Sequence, residues 1–217
     1  MRIVALLSVV FAFATMPVSA SELDAKFLIK HEGKVIGYHH VRGRETALGL
    51  VVDTEVEMRV KFGPIPLYKY DHEAREVWRN GEVISIESKT NDNGTKTSVF
   101  AHRKDDTLLI DGTLYSGPAP VDAVPPSYWD KSLITARSVI NTQTGEIVDV
   151  GVEHIGPSAA PDNQAAEQYR ISGTINVDVW YDGSRWIGSH LFVEGEELIY
   201  ERVDGESQYA ALAEYLD

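Results

Sequence analysis

The chain has 217 residues, no cysteine and a formal net charge of −13 at pH 7. This acidic balance argues against nucleic acid as a partner and against adhesion to anionic lipid by charge alone. Without cysteine, neither a disulfide framework nor the acylated N-terminal cysteine of a lipoprotein is expected.

Residues 1–20 have the pattern of a secretory signal peptide. Met1-Arg2 gives a positive start, an apolar run covers 3–16, and small residues end the segment at Ala20. We expect cleavage near Ala20 and a soluble protein of the bacterial periplasm, with one β-rich domain over 21–217. Export argues against nucleotide-driven chemistry. After residue 20 no apolar stretch approaches the roughly 20 residues of a membrane-spanning helix, so no transmembrane segment is expected.

The rest of the chain is punctuated by glycines that follow turn-forming polar residues, as at Asn80-Gly81, Asn93-Gly94 and Asp182-Gly183. Such pairs tolerate the positive φ of tight hairpin turns. They separate predicted strands at 25–31, 34–45, 48–62, 67–79, 82–91, 95–103, 106–115, 137–141, 146–155, 166–173, 175–181, 185–193 and 196–203. The pattern predicts an all-β fold, an antiparallel barrel or a strongly curved half-barrel of about ten to thirteen strands.

Three segments interrupt this pattern. Residues 116–127 hold four prolines, which predict an extended proline-rich loop, and a short helix is predicted at 128–134. A second loop is predicted at 156–166. Residues 207–216 have apolar side chains at helical spacing, which predicts a brief amphipathic helix laid on the sheet.

The strand predicted at 67–79 has the clearest pattern. Tyr68, Tyr70, His72, Glu76 and Trp78 fall on one face, and the other face is almost wholly charged. A helix from residue 71 would also keep the histidine and the glutamate on one face, four residues apart. The flanking prolines, the alternating tyrosines and the turn at 80–81 favour the strand.

The pair His72 and Glu76 has two interpretations. It could be an acid/base pair or two metal ligands, or it could be a hydrogen-bonded pair that stabilises the sheet, which is the commoner role of paired polar groups. The zinc-protease pattern would need a histidine where Glu76 stands. His39 and His40 are neighbours in a strand and point to opposite faces, so both cannot bind one metal there. No metal site and no cofactor are predicted.

The aromatic side chains offer a candidate ligand site. Tyr68, Tyr70 and Trp78 share the strand face, and Tyr128 and Trp129 follow the proline-rich loop as part of a possible lid. Aromatic residues at the mouth of a barrel can line a ligand cavity, or they can close the barrel ends as ordinary core.

Several motifs occur in a fixed order along the chain. They are Gly63-Pro64-Ile65-Pro66-Leu67-Tyr68-Lys69-Tyr70, Glu76-Val77-Trp78-Arg79-Asn80-Gly81, Thr90-Asn91-Asp92-Asn93-Gly94, Tyr128-Trp129 and Ile140-Asn141-Thr142-Gln143-Thr144-Gly145. With them the chain resembles an uncharacterised family of exported, mostly proteobacterial proteins, classed as a domain of unknown function. The resemblance spans nearly all of the chain after the signal and implies no catalytic residues. The region 177–203 also resembles the curved sheets of periplasmic lipoprotein-carrier folds.

The leading hypothesis is a periplasmic binding or carrier protein for an apolar or amphipathic ligand such as a lipid. One alternative is a periplasmic enzyme that uses His72 and Glu76. Another is an envelope interaction module that binds other chains through exposed strand edges. The volume and lining of the barrel interior should separate the first two.

Overall fold

Sixteen β-strands make up most of the computed structural model, which describes residues 23–62, 65–174, 176–193 and 195–216. The predicted signal peptide therefore lies outside the described residues. A 3-10 helix spans Lys131–Thr135 and an α-helix, α1, spans Glu206–Leu216. The strands are β1 (Leu23–His31), β2 (Lys34–Thr46), β3 (Gly49–Phe62), β4 (Ile65–Arg79), β5 (Glu82–Asp92), β6 (Thr95–Lys104), β7 (Thr107–Gly112), β8 (Ser116–Pro118), β9 (Ala123–Val124), β10 (Ser138–Ile140), β11 (Ile147–Asp149), β12 (Gly151–Ala159), β13 (Ala165–Ser172), β14 (Asn176–Asp182), β15 (Arg185–Val193) and β16 (Glu196–Arg202).

Thirteen strands form one curved antiparallel sheet, in the order β12-β13-β14-β15-β16-β1-β2-β3-β4-β5-β6-β7-β8. Neighbours in the sheet are neighbours in the chain except at β16 and β1, which pair in the middle of the sheet. This confirms the predicted all-β fold. The strand edges of β8 and β12 lie at the two ends of the order.

Residues 119–150, which we call the inserted segment, connect these two edge strands. The segment contains the 3-10 helix and a small sheet of β9, β10 and β11. Leu133 and Ile140 are buried in one core cluster with side chains from the large sheet. The Ser88 hydroxyl of β5 also donates to the Thr142 carbonyl at 2.5 Å. The segment therefore packs on the inner, core-facing side of the sheet.

Strand β4 confirms the strand interpretation of the segment with the clearest pattern. Buried and exposed residues alternate along it, so that Tyr70, His72, Ala74, Glu76 and Trp78 face the core. This is the period of two that a half-buried strand requires. The opposite, outer face of β4 is almost wholly charged, as predicted.

The predicted strands agree with the observed ones within a few residues over most of the chain, and the differences lie around the inserted segment. The strand predicted at 106–115 ends at Gly112. The strand predicted at 146–155 is two strands in different sheets, β11 and β12. The proline-rich loop includes β8 and β9, and Pro118 can end β8 because this strand is at the edge of the sheet.

Two further predictions needed correction. The loop predicted at 156–166 is mostly strand, since β12 continues to Ala159 and β13 starts at Ala165. Pro157 is accommodated because β12 is an edge strand. The short helix predicted at 128–134 is a 3-10 helix that starts at Lys131, and Asp130 caps it by accepting from the Ser132 amide at 2.7 Å.

The C-terminal helix α1 is present as predicted and lies on the outer face of the sheet. Its Tyr215 ring meets Tyr38 of β2 edge to face, with centroids 6.3 Å apart, and the Tyr215 hydroxyl lies 3.3 Å from a Glu57 carboxylate oxygen. None of its described residues is buried. Within the described residues, neither helix has the length and apolar character needed to cross a bilayer.

The turn of the inserted segment approaches the edge of the large sheet at Gly145. This glycine has φ +89°, and an added Cβ would lie 2.9 Å from the Gly112 Cα and 3.1 Å from the Tyr115 carbonyl oxygen. Gly94 has a similar φ of +99° but open space around it. Both Gly→Ala changes should cost about 1–3 kcal/mol for the strained φ. Gly145→Ala should cost about 1–3 kcal/mol more for the overlap. Urea unfolding of both variants measures this difference, and equal losses would contradict the close approach.

Candidate functional site: polar groups of the sheet interior

Two histidines lie in one row across the inner face of the sheet. The cross-strand register pairs Phe27 with His39, His39 with Val56, Val56 with His72, and His72 with Thr90. Strands are spaced by about 4.8 Å, so the two histidine Cα atoms are roughly 10 Å apart. The row places two imidazoles on the core side of strands β2 and β4.

His72 has a hydrogen-bond partner and is neutral. Its Nδ1 lies 2.8 Å from the Thr90 hydroxyl, and its side chain is buried. Burial lowers its pKa to about 4. A neutral ring can pair with a hydroxyl as donor or acceptor, so this site is satisfied.

His39 lies among aromatic rings. The centroids of Trp186, Tyr200 and Phe27 are 5.2, 5.8 and 6.2 Å from its own. Its side chain is buried, and its Nε2 has no hydrogen-bond partner among the described residues. Burial, followed by the nearby His72 and His40, lowers its pKa to about 3. His39 is therefore a neutral, buried and partly unpaired imidazole.

His40 points to the outer face, as the sequence predicted for neighbours in a strand, and contacts Asp24 at 2.6 Å. Three of the scattered histidines lie beside carboxylates. These pairs are His31 with Glu196, His154 with Glu167, and His190 with Glu197. In the described part of the chain, no group of three or more histidines and carboxylates is arranged to hold a metal ion.

Glu76 connects the sheet to the inserted segment. The Ser127 hydroxyl lies 2.7 and 2.8 Å from its two carboxyl oxygens, and the Trp78 indole N–H donates to it at 2.7 Å. Burial raises the Glu76 pKa to about 7, against the lowering effect of these two hydrogen bonds, and Asp130 raises it further. Near neutral pH the carboxyl group is thus only partly ionised.

The predicted pair His72 and Glu76 share the inner face of β4, but different partners satisfy them. Four residues of a strand separate their Cα atoms by about 13 Å. No hydrogen bond joins their side chains in the described residues, and both are buried. The arrangement therefore resembles two separate polar contacts of a core more than an acid/base pair in a cleft.

The predicted lid residues are folded into the interior. Trp129 meets Trp78 edge to face at 5.2 Å, and Tyr128 lies 5.1 Å from Trp186. The Tyr181 hydroxyl donates to the Tyr128 carbonyl at 2.8 Å. The Trp129 Nε1 is buried and, like the His39 Nε2, has no partner among the described residues.

Tyr68 and Tyr70 extend the aromatic interior towards the hairpin between β3 and β4. Tyr70 is buried and its ring stacks at 6.4 Å from His72, whereas Tyr68 is half-buried. Tyr70 and Tyr200 belong to one core cluster against which Tyr68 and Tyr128 pack, and burial raises the pKa of Tyr200 well above its usual value. The five predicted ligand residues therefore contribute to one interior.

His39, Ser127 and Tyr200 were not predicted as members of this interior. The strand period was a usable signal for His39, because alternation along β2 places it opposite His40. Nothing in the sequence predicts that Ser127, in the proline-rich loop, contacts a residue 51 positions earlier.

The surface depressions lie elsewhere. Two of them, about 370 and 430 Å³, are on the outer face of strands β2 to β6, among mostly charged and polar side chains. Neither is lined by the predicted ligand residues. The interior aromatic residues instead pack on one another and on the inserted segment.

The curved sheet with a packed aromatic interior belongs to the class of β-barrel-like proteins. One similar solved structure is the crystal structure of a beta-barrel-like protein of domain of unknown function DUF1849 from Brucella abortus. The similarity covers 83% of this chain and 95% of the Brucella abortus chain, with a TM-score of 0.59 and 10% sequence identity. At this identity the likeness concerns the fold alone.

The chain itself belongs to the family defined by the domain of unknown function DUF6134, whose model matches residues 27–203. This confirms the resemblance to an uncharacterised family. A search of curated proteins returned no match.

Proposed function

We propose that the protein binds or carries an apolar or amphipathic ligand, such as a lipid, in the bacterial periplasm. The observation that carries this proposal is the pair of unpaired buried atoms, His39 Nε2 and Trp129 Nε1, within an aromatic interior. A buried polar atom without a partner costs about 1–3 kcal/mol. We propose that a polar group of the ligand pairs with His39 Nε2 or Trp129 Nε1 while its apolar body contacts the surrounding rings.

The chemistry of the interior suits an uncharged polar group. With a pKa of about 3, His39 is neutral at periplasmic pH and can donate to or accept from an ester, amide or hydroxyl group. The Trp129 indole is a donor only, and it suits a carbonyl or ester oxygen. The surrounding rings of Phe27, Trp186 and Tyr200 favour contact with a hydrocarbon chain.

We propose that a ligand enters this interior at the end of the sheet where β3 turns into β4. The inner-face apolar side chains are half-buried there, in contrast to the fully buried ones deeper in the sheet. They are Ile36, Val60, Tyr68, Leu191 and Leu198. Because the deeper interior is packed, the ligand must displace part of the inserted segment. We propose that Tyr128, whose ring packs on Trp186, moves as a lid, whereas Trp129 packs on Trp78 nearer the other end of the sheet.

The test uses the fluorescent fatty acid cis-parinaric acid with the purified mature chain. We expect saturable binding, and His39→Phe should weaken it at least about tenfold because one ligand hydrogen bond of about 1.5 kcal/mol is lost. The same variant should be at least as stable to urea as the wild type, since it replaces an unpaired polar ring by an apolar ring. If His39→Phe is at least as stable as the wild type but binds more weakly, His39 contacts the ligand and does not act by stabilising the fold.

His102→Phe is the matched control, because His102 is exposed on β6. It should leave binding unchanged. Absence of saturable binding by the wild type, or equal binding by the wild type and His39→Phe, would overturn the proposal.

A further inference from the structure

The curved sheet is not closed into a barrel by strand pairing. Within the described residues, β8 pairs only with β7 and β12 only with β13, so a seam separates these two edge strands. Four strands, β16, β1, β2 and β3, lie between β15 and β4. At about 4.8 Å per strand, β15 and β4 would be roughly 24 Å apart in a flat sheet. Contacts other than strand pairs must therefore hold the two sides of the sheet together.

One turn of the inserted segment contacts both sides. The Asp130 amide donates to the Ser127 carbonyl at 2.9 Å, which closes a turn of four residues. The first and last Cα atoms of such a turn are less than about 7 Å apart. Residues 127–131, which we call the bridging turn, nevertheless reach β4 on one side and β14 and β15 on the other. The sheet is therefore strongly curled around this turn.

The contacts with β4 come from the first and third residues of the bridging turn. The Ser127 hydroxyl lies 2.7 Å from a carboxyl oxygen of Glu76. The Trp129 ring meets Trp78 edge to face, with centroids 5.2 Å apart. Glu76 and Trp78 are both buried, so this side of the turn is fixed inside the core.

The contacts with β14 and β15 come from the second and fifth residues. The Tyr128 ring lies 5.1 Å from Trp186 of β15, and the Tyr128 carbonyl accepts from the Tyr181 hydroxyl of β14 at 2.8 Å. The Lys131 ammonium group donates to the Gly183 carbonyl at 2.8 Å and lies 5.2 Å from the Tyr181 ring centroid. A cation over an aromatic ring adds a further attraction. This side of the turn is thus held by a packed ring, two hydrogen bonds and a cation–π contact.

The position of the bridging turn decides where the seam can widen. A single residue, Val150, joins β11 of the inserted segment to β12, at the end of the sheet where β14 begins. The bridging turn contacts Gly183, just past the other end of β14. A covalent connection therefore limits the seam at one end, and the contacts of the bridging turn limit it at the other.

We propose that the bridging turn is a clamp that keeps the sheet curled, and that the seam opens at the Gly183 end when either side of the clamp is released. No strand pair breaks in this motion, so it needs less free energy than unfolding of the sheet. The motion exposes the aromatic interior. It does not depend on a ligand, so this proposal and the proposed function can fail separately.

The test is the distance between two spin labels, measured by pulsed electron paramagnetic resonance. Because the chain has no cysteine, Lys104→Cys and Ala165→Cys supply the two labelling sites without competing thiols. Both residues are exposed, and they lie on β6 and β13, on the two sides of the seam. The label distance therefore reports the width of the seam.

Release of either side should lengthen the label distance by one strand spacing or more, roughly 5 Å. Ser127→Ala with Trp129→Ala releases the β4 side, and Tyr128→Ala with Lys131→Ala releases the other side. All four changes together should lengthen the distance no more than the larger of the two double variants does, because a clamp released on one side is already open. This non-additivity distinguishes a clamp from two independent contacts.

Met58→Ala with Lys34→Ala is the matched control, because it removes a buried core side chain and an exposed lysine outside the bridging turn. It should leave the label distance unchanged. Circular dichroism checks that each variant folds. If a double variant does not fold, Lys131→Gln, which removes only the ammonium group, should still shift the distance distribution to longer values.

Three results would overturn the proposal. The folded variants of the bridging turn could keep the wild-type label distance, the two double variants could lengthen it additively, or the control variant could lengthen it as much as they do.

Discussion

Replacing Glu76 by glutamine should make the protein more stable than the wild type at alkaline pH and leave the two equal in acid. Folding raises the Glu76 pKa from 4.5 to about 7, so the folded state holds the proton more tightly than the unfolded state. The stabilising contribution of the protonated group is complete below pH 4.5 and is lost as pH rises through 7. At 1.36 kcal/mol per pKa unit, the wild type should lose about 3 kcal/mol relative to the variant by pH 8.5.

Glutamine fits the site because it resembles the protonated acid. Its carbonyl oxygen can accept from the Trp78 indole and its amide can donate to the Ser127 hydroxyl. Denaturant unfolding of both proteins between pH 4 and 8.5 measures the difference, and the buried histidines cancel because both proteins contain them. Glu73→Gln, on the exposed face of the same strand, should change stability by less than about 0.5 kcal/mol. If the difference in unfolding free energy between the wild type and Glu76→Gln does not vary with pH, this result would contradict the raised pKa of Glu76.

Trp186→Ala should be among the most destabilising single changes. The indole is 2% exposed, stacks on Phe27 with a centroid distance of 3.7 Å, and donates to the Ser189 hydroxyl at 2.9 Å. Tyr128 of the inserted segment packs on it as well. Loss of a buried tryptophan leaves a cavity and typically costs about 3–5 kcal/mol.

Phe100→Ala is the matched control for Trp186→Ala. Phe100 is an aromatic residue of β6 that is 52% exposed on the outer face. Its removal should cost less than about 1 kcal/mol, because little apolar surface returns to water. Urea unfolding midpoints and slopes measure both variants, and losses of similar size would show that the interior around Trp186 is not packed as described.

The sheet was predictable because local chemistry determines its strands and turns. Asn80 and Asn93 adopt φ of 53° and 48°, each before a glycine with positive φ, and both pairs form the hairpin turns that the sequence indicated. Alternation then determined which residues of β4 face inward. The inserted segment was harder to predict, because its short strands pair with each other through contacts that no local pattern records.

The interior was likewise predictable where it depends on local alternation, and not where it depends on tertiary packing. Period-two alternation placed Tyr70, His72, Glu76 and Trp78 on one face, and the structure agrees. Their partners depend on tertiary packing: Ser127 reaches Glu76 from the proline-rich loop, and Trp129 reaches Trp78. A hollow barrel and a packed one can share the same alternating strands, so sequence could not decide whether these aromatic residues line a cavity or fill it.

Native mass spectrometry of the chain, purified from cells without detergent, tests the proposed ligand binding most directly. The proposal predicts a mass above that of the polypeptide, removed by organic extraction, and an amphipathic molecule in the extract. The His39→Phe variant should carry less of it than His102→Phe. A bare polypeptide mass, together with no uptake of cis-parinaric acid by the same preparation, would contradict the account.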